Sequence, residues 1–371
     1  MSEPPARIGD GVDQILTPAL VVDLDAFDAN MAKMAGFAAE AGVRLRPHAK
    51  THKSADIALM QIAEGAVGVC CQKLAEAEAL VAAGVPDVMI SNQVVGAARI
   101  ARLARVAGQA RLIVCADDVR PTQALSEACR AADTGIDVVV EIDVGQNRCG
   151  VPPGDPALGL ALEIAALPHL NFAGVQAYHG SAQHYRSHAE RRAAIDGVIA
   201  ETRATVDLLA EHGLDCDIIG GAGTGTFKME GTSGLYTEIQ PGSYLFMDAD
   251  YGRNKGEDGQ PYAPFANSLF VLATIMSKTL PGQAVSDAGH KSYALDSGMP
   301  LVHGGPDLEV VSCSDEHGVI RDPEDTLKLE DRVWLIPGHC DPTVNLHDWF
   351  VGVRGGTVET LWPVTARGCL F

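Results

Sequence analysis

A chain of 371 residues, 47% of them hydrophobic, is long enough to bury one large core and a smaller one beside it. Its 48 Asp and Glu against 28 Lys and Arg leave a formal net charge of −20, which repels polyanions, so neither nucleic acid nor an anionic membrane is an expected partner. The N-terminal stretch has no basic segment leading into an apolar one, and no apolar run approaches the roughly eighteen residues of a membrane span, so a cytoplasmic protein is expected.

In chain order, residues 19–23 read as a strand entering an amphipathic helix over 25–41. Short apolar, β-branched strands follow at 43–46, 67–71, 88–91, 112–116, 138–142, 172–177, 217–220 and 238–240. Helix-period segments such as 73–81 and 191–209 lie between most of them. This alternation predicts an α/β fold, a (β/α)8 TIM-type barrel over residues 25–252, with an open doubly wound sheet as the second choice. Residues 252–264 are polar, rich in Gly and Pro, and read as a linker. Beyond them, strand-like runs at 269–272, 332–336 and 350–353 are separated by turn residues with no long helical period, which predicts an all-β domain over 253–371. The strand within the N-terminal segment 1–24 is free to pair with either domain. The nine cysteines include an adjacent pair, Cys70 and Cys71, and no C-x-x-C, as expected of reduced core thiols.

In a barrel, the segments after the strands converge on one face. The first is Arg46-Pro47-His48-Ala49-Lys50-Thr51-His52-Lys53, where proline ends the strand and sets Lys50 just beyond it. His48, His52 and Lys53 are cationic or can become so, and such neighbours are expected to lower the pKa of Lys50 and free its amine for attack on a carbonyl. A surface basic cluster is the plainer alternative. The later segments add Gln72, the run Gln146-Asn147-Arg148, then Tyr178-His179-Gly180 and two small-residue loops. In the first loop, Gly220 to Thr226, Gly223 and Gly225 let backbone N–H groups approach an anion, and Thr224 and Thr226 add hydroxyls. The second, Pro241-Gly242-Ser243-Tyr244, adds Ser243. Neither is a P-loop nor a G-x-G-x-x-G turn, so nucleotide is disfavoured and a phosphate monoester fits. An amine opposite a phosphate cradle with a ring between is what pyridoxal 5'-phosphate requires, Arg148 being placed for its phenolate oxygen. Individually, Arg148 suits a surface ion pair and Tyr178 a rim hydrogen bond equally well.

The segments Thr17 to Asp25, Arg46 to Lys50, Gly68 to Lys73, Gln176 to Gly180, Gln240 to Tyr244, Phe246 to Tyr251 and Pro337 to Pro342 resemble the D-threonine aldolase family. That family belongs to the alanine-racemase-like, fold-type III pyridoxal phosphate enzymes and includes D-3-hydroxyaspartate aldolases and D-serine dehydratases. The resemblance runs from about Thr17 to the C-terminus. It implies a barrel with a C-terminal β-domain, usually assembled as a homodimer with composite active sites. It makes Lys50, rather than Lys53, the lysine that bonds the cofactor aldehyde. It places Gln72, Arg148, Tyr178, Thr224, Gly242, Ser243 and Tyr251 around the cofactor, the last four near its phosphate.

His339 and Asp341 are two residues apart, so in extended backbone their side chains share one face and Cys340 takes the other. With the resemblance, this mixed N/O pair reads as a site for Mn²⁺ or Mg²⁺, where the dehydratase relatives have cysteine in place of Asp341. The implied reaction is cleavage of a D-β-hydroxy-α-amino acid to glycine and an aldehyde. His184 is the expected base, matching the family's histidine there, with His179 and His188 as neighbours. The alternatives are an amino-acid racemase, a metal-dependent D-serine or 3-hydroxyaspartate dehydratase, and a non-catalytic pyridoxal phosphate carrier. D-Threonine calls for a small apolar pocket for its methyl group. 3-Hydroxyaspartate needs a cation for its second carboxylate, with His290, Lys291 and Arg354 as candidates.

Overall fold

The computed structural model describes residues 2–371. The strands in chain order are β1 (Ala19–Asp23), β2 (Arg44–Leu45), β3 (Val69–Cys71), β4 (Asp87–Gln93), β5 (Arg111–Ala116), β6 (Ile136–Glu141), β7 (Leu170–Ala177), β8 (Ile218–Gly221) and β9 (Glu238–Ile239). Strands β2 to β9 form one parallel sheet in the order β2-β9-β8-β7-β6-β5-β4-β3. Its two end strands meet through Val67 N–H donating to the Leu45 carbonyl at 2.9 Å and Cys70 N–H donating to the Pro47 carbonyl at 2.8 Å, which closes the ring. The alternating apolar pattern explains both layers. Cys70, Met89, Ile113, Cys115, Val139, Ala173 and Ile218 fill the barrel interior as one buried cluster. Their strand neighbours, Cys71, Val88, Ile90, Val114, Val138, Val140 and Ile219, face the helices. The adjacent cysteines therefore point to opposite layers, and all nine are unpaired.

The second sheet contains β1 and β10 (Leu269–Ser277), β11 (Gln283–Ser286), β12 (Leu301–Val302), β13 (Glu309–Cys313), β14 (Gly318–Arg321), β15 (Arg332–Ile336), β16 (Trp349–Arg354) and β17 (Thr357–Pro363). The order is β11-β14-β13-β12-β15-β10-β1-β16-β17, and a β10–β11 pairing closes six strands into a ring. Strand β1, which the sequence left free to join either sheet, runs antiparallel to β10 and parallel to β16. The helix Leu24–Ala41 then carries the chain into the barrel, with the Asp23 carboxylate accepting from the Asp25 and Ala26 amides at its start. The C-terminal tail returns to the barrel, where Ala366 N–H donates to the Lys53 carbonyl and the Phe371 carbonyl accepts from Ala75. The mouth of the barrel thus lies where the β-sheet domain meets it. No helix among the described residues is long and apolar enough to cross a membrane.

Candidate active site

A cavity of about 360 Å³ opens at the C-terminal ends of the barrel strands. Its wall includes Lys50, Gln72, Arg148, Tyr178, His184, Gly223, Thr224, Gly242, Ser243, Tyr251, His339 and Asp341. Gly225 is the exception among the expected residues. Its amide N–H is taken by the Gln183 side-chain oxygen at 2.9 Å, so it braces the loop from behind.

Proline 47 ends the first strand as expected, and Ala49–Thr51 form a single 3₁₀ turn capped by His48, whose Nδ1 accepts the Lys50 amide. The turn aims Lys50 into the cavity, where 39% of its side chain is exposed and Nζ lies 3.7 Å from Asp341 Oδ2. Lys53 goes elsewhere: its backbone takes a left-handed φ of 50°, and Nζ is held by Glu76 and Asn345, each at 3.0 Å.

The charge state expected of Lys50 is corrected by its surroundings. Burial is the largest single influence and opposes its charge, but the Asp341 carboxylate acting together with Tyr178 and Cys340 outweighs it, and the pKa is raised. The histidines counted as cations are neutral. Burial and the Lys50 charge push His48 well below its usual value, and burial takes His52 down to about 4. The Lys53 charge is answered by Glu76. A cluster that looks basic in sequence therefore brings one cation, Lys50, into the cavity, and that cation has a carboxylate partner.

The His339 and Asp341 pair also forms by a different route from the one expected. His339 is extended, but Cys340–Val344 is a helical turn with Asp341 in its first turn. The two side chains still converge, His339 Nε2 lying 4.0 Å from Asp341 Oδ2, because the turn begins between them. Cys340 is fully buried beneath, its amide N–H donating to Asp248. Asp341, which burial alone would push up, is kept low by Lys50 and His339. The other ring nitrogen of His339 is bound to Asp296 at 2.6 Å. Among the described residues no three His, Cys, Asp or Glu side chains cluster as a complete metal cage.

The two small-residue loops make a cradle. A Cβ on Gly242 would sit 2.5 Å from Thr51 Oγ1 and 2.9 Å from the His48 carbonyl, and one on Gly223 would sit 2.5 Å from Gln183 Oε1. Neither position has room for a side chain. Thr224 Oγ1 is buried without a hydrogen-bond partner, and the buried Ser243 also lines the hollow. Buried hydroxyls beside a glycine-lined hollow fit an anion such as a phosphate ester.

Several wall residues were not singled out from sequence: His48 as a neutral imidazole, Ser91, Glu141, Gln176, Ser181 and Gln240. Gln72 Nε2 lies 2.8 Å from His48 Nε2 and 3.0 Å from Ser91 Oγ, so a rigid polar floor surrounds the lysine turn. The position of Ser91 and Glu141 at strand ends was the available signal. None of His290, Lys291 and Arg354 lines the cavity. Arg354 is tied to Asp25, Asp28 and Glu359, Lys291 to Glu316, and His290 lies 3.7 Å from Cys313.

Comparison with known proteins agrees with this architecture. The family model for the alanine racemase N-terminal domain matches residues 22–250, and a serine dehydratase domain model matches 268–353. The chain is 46% identical to a 3-hydroxy-D-aspartate aldolase of Paracoccus denitrificans (strain Pd 1222) over 98% of its length and 95% of that protein's. It is 48% identical to a D-threonine aldolase of Arthrobacter sp., covering 98% and 96%. The crystal structure of a D-threonine aldolase from Filomicrobium marinum superposes with a TM-score of 0.96 at 50% identity, covering 99% of this chain and 100% of that one.

Proposed function

This chain belongs to the family of D-threonine and 3-hydroxy-D-aspartate aldolases within the alanine-racemase-like proteins, and on that premise we propose that it cleaves D-β-hydroxy-α-amino acids, D-threonine first among them, to glycine and an aldehyde. The observation that carries the reading is the meeting of three parts in one cavity: the Lys50 amine, the glycine-and-hydroxyl cradle, and the His339–Asp341 pair.

Pyridoxal phosphate, when bound, supplies an aldehyde for a lysine amine and a ring that draws off the electrons of the broken Cα–Cβ bond. Thr224, Ser243 and the backbone at Gly223 and Gly242 would hold its phosphate, with the partnerless Thr224 hydroxyl as the supporting observation. Tyr178, Arg148 and Gln72 would confine the ring, Tyr251 would stand near the phosphate, and Lys50 would bond to the aldehyde. A divalent cation, Mn²⁺ or Mg²⁺, would be held by His339 and Asp341 and would supply a Lewis acid for the substrate hydroxyl. Its partial donor set suits this role, because positions stay open for water and substrate oxygen. Asp296 orients the His339 ring from behind.

His184 lies in the wall and would take the β-hydroxyl proton. His179 is a poorer candidate, being buried with its pKa lowered by desolvation and its ring packed against Gly145. The absence of His290, Lys291 and Arg354 from the wall supports D-threonine as the first substrate to test, with 3-hydroxyaspartate second. The test is glycine release from D-threonine, D-phenylserine and the 3-hydroxyaspartate isomers with Mn²⁺ added. Glycine from L-substrates alone, or ammonia and a keto acid in place of glycine, contradicts the proposal.

A further inference from the structure

We infer that Asp250 is a positioning residue that fixes the tautomer and ring orientation of His184, so that Nδ1–H is directed away from the cavity and Nε2 is presented to it. The inference rests on the reading of His184 as the group that takes the substrate proton. His184 is shared by two spaces: the main cavity, and an outer vestibule of about 500 Å³ lined by Arg186, Asp250, Arg253, Asp296, Ser297 and Gly298. Asp250 lines only the vestibule. Its Oδ2 lies 2.5 Å from His184 Nδ1, so the vestibule side of the ring is the one that is bonded.

The carboxylate is itself held. Arg186 donates to Oδ1, Arg253 approaches Oδ1 at 3.6 Å, and the side chain is 6% exposed. Burial would raise its pKa, but the bonds from His184 and Arg186 bring it down to about 2, so it stays an anion. A carboxylate fixed as an anion accepts and cannot donate, which requires the proton of a neutral His184 to sit on Nδ1. The Tyr251 ring lies 6.0 Å away, tilted 32° to the imidazole. Asp250 is anchored in turn by its backbone N–H donating to the Gly338 carbonyl, next to His339, so the base and the second-domain pair are held in one frame.

The test pairs a spectroscopic measurement on cofactor-free protein with kinetics of the loaded enzyme. Selective ¹⁵N-histidine labelling should show His184 with its proton on Nδ1 in a strong, downfield hydrogen bond, and that signal should vanish in Asp250→Asn. The same variant should lose about a hundredfold in kcat for glycine release with KM within about twofold. Asp250→Glu should recover part of the loss. If His184→Gln is crippled while Asp250→Asn matches wild type, the positioning role is refuted and the proposed base survives. If His184→Gln is fully active, both fall. Should Asp250→Asn fail to fold, the wild-type spectrum decides alone, and a proton found on Nε2 overturns the inference.

Discussion

At the scale of single residues, the lysine turn shows how burial changes the meaning of a sequence. His48, Lys50, His52 and Lys53 read as four potential cations, yet desolvation neutralises both imidazoles and Glu76 takes the second lysine. The two lysines should therefore respond differently to substitution. Lys50→Ala should abolish the adduct trapped by borohydride in the coenzyme-loaded protein while leaving the unfolding midpoint in urea nearly unchanged. Lys53→Ala should keep the adduct but cost about 3–5 kcal/mol of stability, because Glu76 is left buried without its charge partner. The reverse pattern would mean that the wrong lysine has been assigned. Gly242→Ala should weaken coenzyme binding by about tenfold to a hundredfold in an absorbance titration, since its Cβ would crowd the backbone carbonyl of His48 as well as Thr51. Unchanged affinity would show that the coenzyme phosphate lies elsewhere.

At the scale of elements, strand spacing was legible where strands are apolar and alternating, and was less so where a side chain or a turn intervenes. Strand β3 begins two residues later than expected, because Gly68 adopts a φ of +156° against the Arg46 side chain and the Asp87 carbonyl. The turn at Cys340 was taken as extended, yet the consequence drawn from that, a shared face for His339 and Asp341, holds because both line the cavity. Closest approach between strands makes its own demand. Gly174 on β7 has a φ of +136° and room for no side chain, since a Cβ would meet the Ile218 carbonyl of β8 at 2.0 Å. Gly174→Ala should cost roughly 3 kcal/mol or more, or prevent soluble expression, and a thermal midpoint within about 2 °C of wild type would contradict that packing.

At the scale of the whole molecule, the cavity is a product of both sheets: the barrel contributes the lysine turn and the cradle, and the second sheet brings His339 and Asp341 over them. Removing the cation should therefore affect the reaction without dismantling the site. Chelation should cut glycine release by at least about a hundredfold, and added Mn²⁺ should restore it, while the borohydride-trapped Lys50 adduct forms equally well in both states. Full activity after exhaustive chelation would favour metal-free chemistry in the same barrel. A matching loss of trapped adduct would mean that His339 and Asp341 organise the coenzyme cradle itself.

Strand and helix periodicity, the proline that ends the first barrel strand, and the glycine loops after the later strands were set out in the sequence, because each depends on local geometry that neighbouring residues dictate. The motif resemblance pointed to the same lysine, cradle and histidine–aspartate pair. The partners were decided only when the chain closed on itself. Strand β1 joined the far sheet through pairings with residues about 250 and 330 positions away. Asp341 came to lie against Lys50, and Asp250 against His184 across a separation of 66 residues. Charge state and proton position follow from burial and from which groups touch, and contacts between residues so distant in the chain exist only in the folded molecule.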